Sequence, residues 1–310
     1  MNSKLYEMRE FKCDDDTLLD SVIILAIDDE ERSKHALRLF GMSKKKGNAA
    51  LLLSYGGNHT DHVSEVQSIL KTREVAVIKG VPSSQYEFVE ELSKHQSILM
   101  ASKIVIDISC ILTPYLFLLM KYIHMWNENA DLYAINTIPY DYYYPHTPFT
   151  SYRSYYGDLK MEEIFGFSSS YGLREEKDLF IFSGFEGALA LKVEEDTAYK
   201  QLYIVNALPS YQQKYKDIST INNYQLIVSN SCKRLYASSI NPFETYNILD
   251  KYINTDSGAS IAPLCTKPIA LGICMYAMKH ENIRIVYPFS NYYELGRSHH
   301  VYKSYIYKVE

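Results

Sequence analysis

Continuous apolar runs alternate with stretches of helical spacing along nearly the whole chain. Residues 21–27 form a near-continuous β-branched run and predict a buried strand, and 49–55, 74–79, 104–109 and 132–137 also read as strands. Helical stretches separate them. The first opens on Asp28-Asp29-Glu30-Glu31, acidic residues suited to a first helical turn, and runs to about residue 40. Residues 59–70 predict a second helix. A third begins at Ser83 or Ser84, with Glu87 placed for a capping box, and runs to about residue 100. Residues 114–126 predict a fourth.

The alternation stops at residues 140–157. Pro145, Pro148 and a group of tyrosines make this stretch a long loop, either a connector or a lid. It then resumes. Strands are expected at 179–183, 202–206, 234–238, 259–264 and 283–287. Helices are expected from Ala188, over 211–229, from the Asn241 cap with Pro242 at the first helical position, and over 268–279. Residues 301–309 alternate in polarity and read as an antiparallel edge strand. Apolar strands alternating with helices imply mostly parallel sheets covered on both faces. The expected fold class is therefore α/β, with two Rossmann-like halves that are candidates for pseudo-symmetry. Half one spans 1–140, the Tyr/Pro-rich connector 141–174 and half two 175–310. The pattern leaves open whether the halves share one sheet.

Composition narrows the function classes. The chain has 310 residues and is 47% hydrophobic, enough for a large core. Its net charge of −5 argues against direct nucleic-acid binding through phosphates. The longest apolar stretch, 104–120, is interrupted by Asp107, Ser109, Thr113 and Pro114, and so predicts no membrane span. The N-terminal 16 residues are polar, and a cytoplasmic protein is expected. Five cysteines, an odd number without paired spacing, read as reduced thiols. No metal-ligand spacing and no cofactor motif occurs, so neither metal nor cofactor is expected. The 29 tyrosines fit either an AT-rich coding sequence or a stacking or interface surface.

In open parallel sheets, ligands bind outside the carboxyl ends of the strands. The strand ends expected to converge there are Asp28, residues 54–58, Asp107 with Ser109, residues 183–187 with Gly184, Glu186 and Gly187, Asn206, and Thr266 with Lys267; Thr113 is a further candidate for ligand binding. Gly184 and Gly187 would let a phosphate or ribose approach the backbone, and Glu186 could accept from a ribose hydroxyl. Lys267 opposes the dipole at a helix start, a local cost that a bound anion would offset. Asp107, Glu186 and Asp28 are the candidate catalytic groups if the chain is an enzyme. Cys110 and Cys265 precede helix starts, where thiol pKa values fall, but buried cysteine acting as a small hydrophobe is the commoner case. His299 and His300 read as surface residues.

One motif occurs twice. Residues 260–272 run as strand, cysteine, Thr266-Lys267-Pro268 and apolar helix, and residues 103–115 give strand, Cys110, Thr113-Pro114 and apolar helix. The threonine can cap the helix, and the helix start attracts anions. The segment 261–272 resembles the signature of CARF-type Rossmann-like domains, which sense oligonucleotide second messengers in prokaryotic antiviral systems. Two such units in one chain would resemble the SAVED arrangement. The resemblance covers about 12 residues, and Leu264-Cys265 stand where the family pattern usually has glycines. It implies that Thr266 and Lys267 contact ligand phosphates. It also implies that half one, which has no lysine at this point, is degenerate.

The expectation is a sensor or regulatory subunit in antiphage defence that binds a nucleotide-like ligand. A separate protein would be its partner or effector, and homo-oligomerisation is left open. The competing readings are a nucleotide-processing hydrolase and a non-catalytic assembly subunit.

Overall fold

The computed structural model describes residues 7–13, 15–27, 30–42, 49–54, 59–70, 74–79, 84–142, 159–168, 172–229, 231–289 and 297–309. The chain divides into two compact units. Unit one comprises residues 1–143 and 295–310, and unit two residues 144–294.

Unit one begins with the short strand β1 (Met8–Glu10). It continues through β2 (Val22–Ile27), α1 (His35–Met42), β3 (Ala49–Ser54), α2 (His59–Leu70), β4 (Val75–Lys79), α3 (Gln85–Ser93), α4 (Gln96–Leu99), β5 (Lys103–Asp107), α5 (Thr113–Trp126) and β6 (Asp131–Tyr142). Unit two contains β7 (Lys160–Glu163), β8 (Lys177–Ser183), α6 (Gly187–Asp196), β9 (Tyr199–Ala207), α7 (Gln213–Asn222), α8 (Tyr224–Ser229), β10 (Lys233–Ala237), α9 (Pro242–Tyr252), β11 (Ala259–Pro263), α10 (Lys267–Lys279) and β12 (Ile283–Phe289). The last strand, β13 (Ser298–Lys308), returns to unit one.

The fold is α/β with two mostly parallel sheets, so the halves do not share one sheet. Unit one has the order β1-β13-β6-β5-β2-β3-β4, and unit two the order β10-β9-β8-β11-β12-β7. Counting only the parallel strands along the chain, both units run 3-2-1-4-5, the doubly wound order. Both add an antiparallel strand beside the fifth: β13 on β6 and β7 on β12. The two halves thus repeat one topology. The repeated cysteine–threonine–proline motif falls at the same place in each, between the fourth parallel strand and its helix.

Buried strands explain the continuous apolar runs. Every residue of β2, β3 and β11 is buried, because helices cover both faces of each sheet. In unit one α1 packs on α2, while α3 and α4 pack on α5. In unit two α6 packs on α8, and α9 on α10. Right-handed crossovers running in opposite directions from the first strand place these groups on opposite faces.

Several local expectations hold. Ser84 accepts from the Glu87 amide at 3.4 Å, and Asn241 accepts from Phe243 and Glu244 at the start of α9. Others differ. Residues 31–34 form a 3-10 turn before α1, so the acidic run does not open an α-helix. The third helix breaks after Ser93 into α3 and α4. Strand β6 continues to Tyr142, past the expected loop start. The final strand is antiparallel, but it is no edge: β1 pairs on its outer side. Among the described residues, no helix is long and apolar enough to cross a membrane.

Two candidate sites at the strand-order reversals

A doubly wound sheet opens a crevice where its strand order reverses, because the loops after the two central strands diverge to opposite faces. In unit one this point lies between β2 and β5, and in unit two between β8 and β11. The sequence candidates divide between them. Asp107, Ser109 and Thr113 lie at the unit-one point, and Gly184, Glu186, Gly187, Thr266 and Lys267 at the unit-two point. Asp28 and residues 55–58 lie outside the described residues.

In unit two, Gly184 and Gly187 serve packing. A β-carbon on Gly184 would meet the Leu264 carbonyl, and one on Gly187 would meet the Asn222 carbonyl. The close approach expected of a ligand is therefore made by the chain's own backbone. The Gly184 carbonyl accepts from Ser219 Oγ at 2.8 Å and Asn223 Nδ2 at 2.9 Å, which fixes the turn before α6. Asn206, at the end of β9, is likewise engaged with Thr220 and the Ala207 amide.

Thr266 does not cap α10, contrary to expectation. Its hydroxyl donates to the Ser239 carbonyl at 2.9 Å, tying this loop to the one after β10. The first turn of α10 consequently has no side-chain cap, and neither does the first turn of α6. Two helix N-termini flank one strand-order reversal, and Lys267 occupies the first position of one of them. Uncapped amides and a lysine favour an anion here. Cys265 is unsuited to attack: burial drives its thiol pKa up, and the charge of Lys267 only partly opposes this.

Unit one presents different chemistry. Asp107 ends β5 beside Leu25 of β2 and is 3% exposed. Its Oδ1 accepts from the Ser109 amide at 3.0 Å and from the Ser109 hydroxyl. Ser109 Oγ in turn accepts from the Thr137 amide at 2.8 Å. Ser109 is fully buried and orients the carboxylate, so the direct ligand contact expected of it is taken by protein groups. Thr113, the first residue of α5, is also buried. Asp107 Oδ2 is buried without a hydrogen-bond partner among the described residues. Burial pushes this carboxyl up to about 6, against the lowering effect of Ser109 and of the Arg32 charge.

Beside it lies an ion pair that no motif in the sequence marks. Arg32 Nε donates to Glu30 Oε2 at 2.5 Å, and its guanidinium carbon lies 5.7 Å from the Tyr142 ring centroid. Glu30 also accepts from Ser298 Oγ and from the Arg297 amide at 3.2 Å. Burial would raise the Glu30 pKa, but Arg32 and the donated hydrogen bonds hold it below the ordinary value. His299 and His300 are exposed, as expected. Among the described residues no group of His, Cys, Asp or Glu could hold a metal ion.

No family model matches this chain, and no curated protein matches it. Among solved structures it is similar to a universal stress protein from Archaeoglobus fulgidus DSM 4304. The identity is 11%, covering 88% of this chain and 97% of that one, with a TM-score of 0.24. A likeness at that score carries nothing about site or ligand.

Proposed function

We propose that this chain is a nucleotide-binding sensor or regulatory subunit that holds an anionic ligand at the strand-order reversal of unit two. The observation carrying this reading is the pair of uncapped helix starts, α6 and α10, with Lys267 in the first turn of α10. Phosphates suit that arrangement, since backbone amides and a point charge need no titratable partner. Cys265 is half-buried and its thiol pKa is driven up, so it supplies no ready nucleophile, in keeping with binding over turnover. The resemblance of residues 261–272 to CARF-type domains narrows the ligand to an oligonucleotide second messenger. It also points to antiphage defence in the cytoplasm, with the effector on a separate chain.

The test is calorimetry with mononucleotides and with linear and cyclic oligonucleotides, on wild type and Lys267→Ala. Binding of an oligonucleotide that weakens at least about tenfold in the variant is expected, the loss typical of one charge-assisted contact. Binding indifferent to Lys267, or no binding by any of these anions, overturns the reading. A ligand recovered chemically altered after incubation would favour the hydrolase instead.

A further inference from the structure

The strand-order reversal of unit one combines three features that a purely structural site would not need together. A carboxylate sits at the usual ligand position of a doubly wound sheet. One of its oxygens is locked by Ser109, itself locked by Thr137. The other is out of water and unpartnered among the described residues. Buried polar atoms without partners are costly, and a bound molecule or ion is one of the ways such an atom is satisfied.

Charge selects the kind of molecule. Both Glu30 oxygens are occupied by Arg32, Ser298 and the Arg297 amide. Arg32 also acts on Asp107, but it offsets the burial of that carboxylate only in part and gives its Oδ2 no hydrogen bond. An anion there would be repelled. A cation bearing an N–H would satisfy both the charge and the open lone pairs.

We propose that unit one binds a small cationic group, an ammonium or guanidinium, through Asp107 Oδ2, at a site separate in chemistry from the anion site of unit two. Ser109 is the positioning residue, holding Oδ1 so that Oδ2 faces the ligand. The Arg32–Glu30 pair sets the field: Arg32 is the charged group whose influence reaches Asp107, while Glu30, Cys110 and Tyr142 act on Arg32. This reading does not depend on the nucleotide site.

The test uses saturation-transfer NMR on the full chain with four probes that carry C–H protons: methylguanidinium, methylammonium, adenosine and methyl phosphate. At millimolar concentration, one or both cations should bind. Asp107→Asn keeps the acceptor for Ser109 but places an N–H₂ donor at the open position. Cation binding should fall at least about tenfold in that variant. In wild type, independently of any variant, cation binding should strengthen as the pH rises through about 6. Cation binding that ignores both Asp107→Asn and pH overturns the proposal, and so does binding of none of the cations. Asp107-dependent binding of adenosine or methyl phosphate alone overturns the ligand class.

Discussion

The carbonyl of Leu264 occupies the space that a β-carbon on Gly184 would take. Gly184 follows β8 and Leu264 follows β11, the two strands that flank the reversal in unit two. Neither side of this contact can yield cheaply, because the obstructing atom is backbone. Gly184→Ala should therefore destabilise unit two by about 1–3 kcal/mol, the usual cost of overpacking. It should also displace the 264–267 loop and weaken anion binding. Urea unfolding followed by circular dichroism reads the first effect, and calorimetry the second. A stability change within about 0.5 kcal/mol would show that the loops separate freely.

Asp107 gives unit one an unusual pH response. Its folded pKa of about 6 lies above the ordinary 3.8, so the native state binds its proton more tightly than the unfolded chain does. The favourable contribution is complete below about pH 4 and declines as pH rises to about 6, by at most about 3 kcal/mol. Glu30 works in the opposite sense: its pKa is lowered from 4.5, so its contribution is present above that value and lost on acidification. The difference between wild type and Asp107→Asn isolates the Asp107 part. The variant should be the more stable protein above pH 6 and should lose the declining limb. The single tryptophan, Trp126, ends α5 in unit one, so its fluorescence reports this transition. Parallel pH profiles for the two proteins would refute the assignment.

Lys267 opposes the dipole of α10 in the ligand-free state. Lys267→Ala should leave thermal stability unchanged or raise it slightly, by a few tenths to about 1 kcal/mol. A clear loss of stability without ligand would mean that the lysine serves the fold. Any loss of anion binding would then need another explanation.

The fold was legible because its strands are buried on both faces and so appear as unbroken apolar runs. The elements that escaped notice lack that signature. Strand β7 is Lys-Met-Glu-Glu at a sheet edge, and β1 is three residues long. The return of β13 to unit one is a long-range pairing that no local pattern encodes. At the sites, helix starts were readable, yet the partners of polar groups were not. Thr266 looked like a cap but bonds to Ser239, 27 residues away. Glu30 looked like a first-turn residue but bonds to Ser298, 268 residues away. The glycine pair 184/187 suggested ligand approach, whereas the approaching atoms belong to Leu264 and Asn222.

Arg284 is fully buried on β12 and holds the margin of unit two together. Its Nε donates to Ser260 Oγ at 2.9 Å, and the two terminal nitrogens donate to the carbonyls of Gly172 and Glu175. Glu163 of β7 lies 3.8 Å from Nε and supplies the countercharge. Burial lowers the arginine pKa, and the nearby charges of Glu163 and Glu175 counter that effect. Removing the guanidinium strands two carbonyls and leaves a half-matched carboxylate. Arg284→Ala should therefore cost about 3–5 kcal/mol, close to the total stability of an ordinary domain. Arg284→Lys keeps the charge but cannot span the fork, and should fall between wild type and alanine. Glu163→Gln should cost less in the Arg284→Ala background than alone, because the pair acts as a unit. Urea unfolding of the four proteins by circular dichroism provides the cycle. Strict additivity would mean that Glu163 and Arg284 stabilise β7 independently.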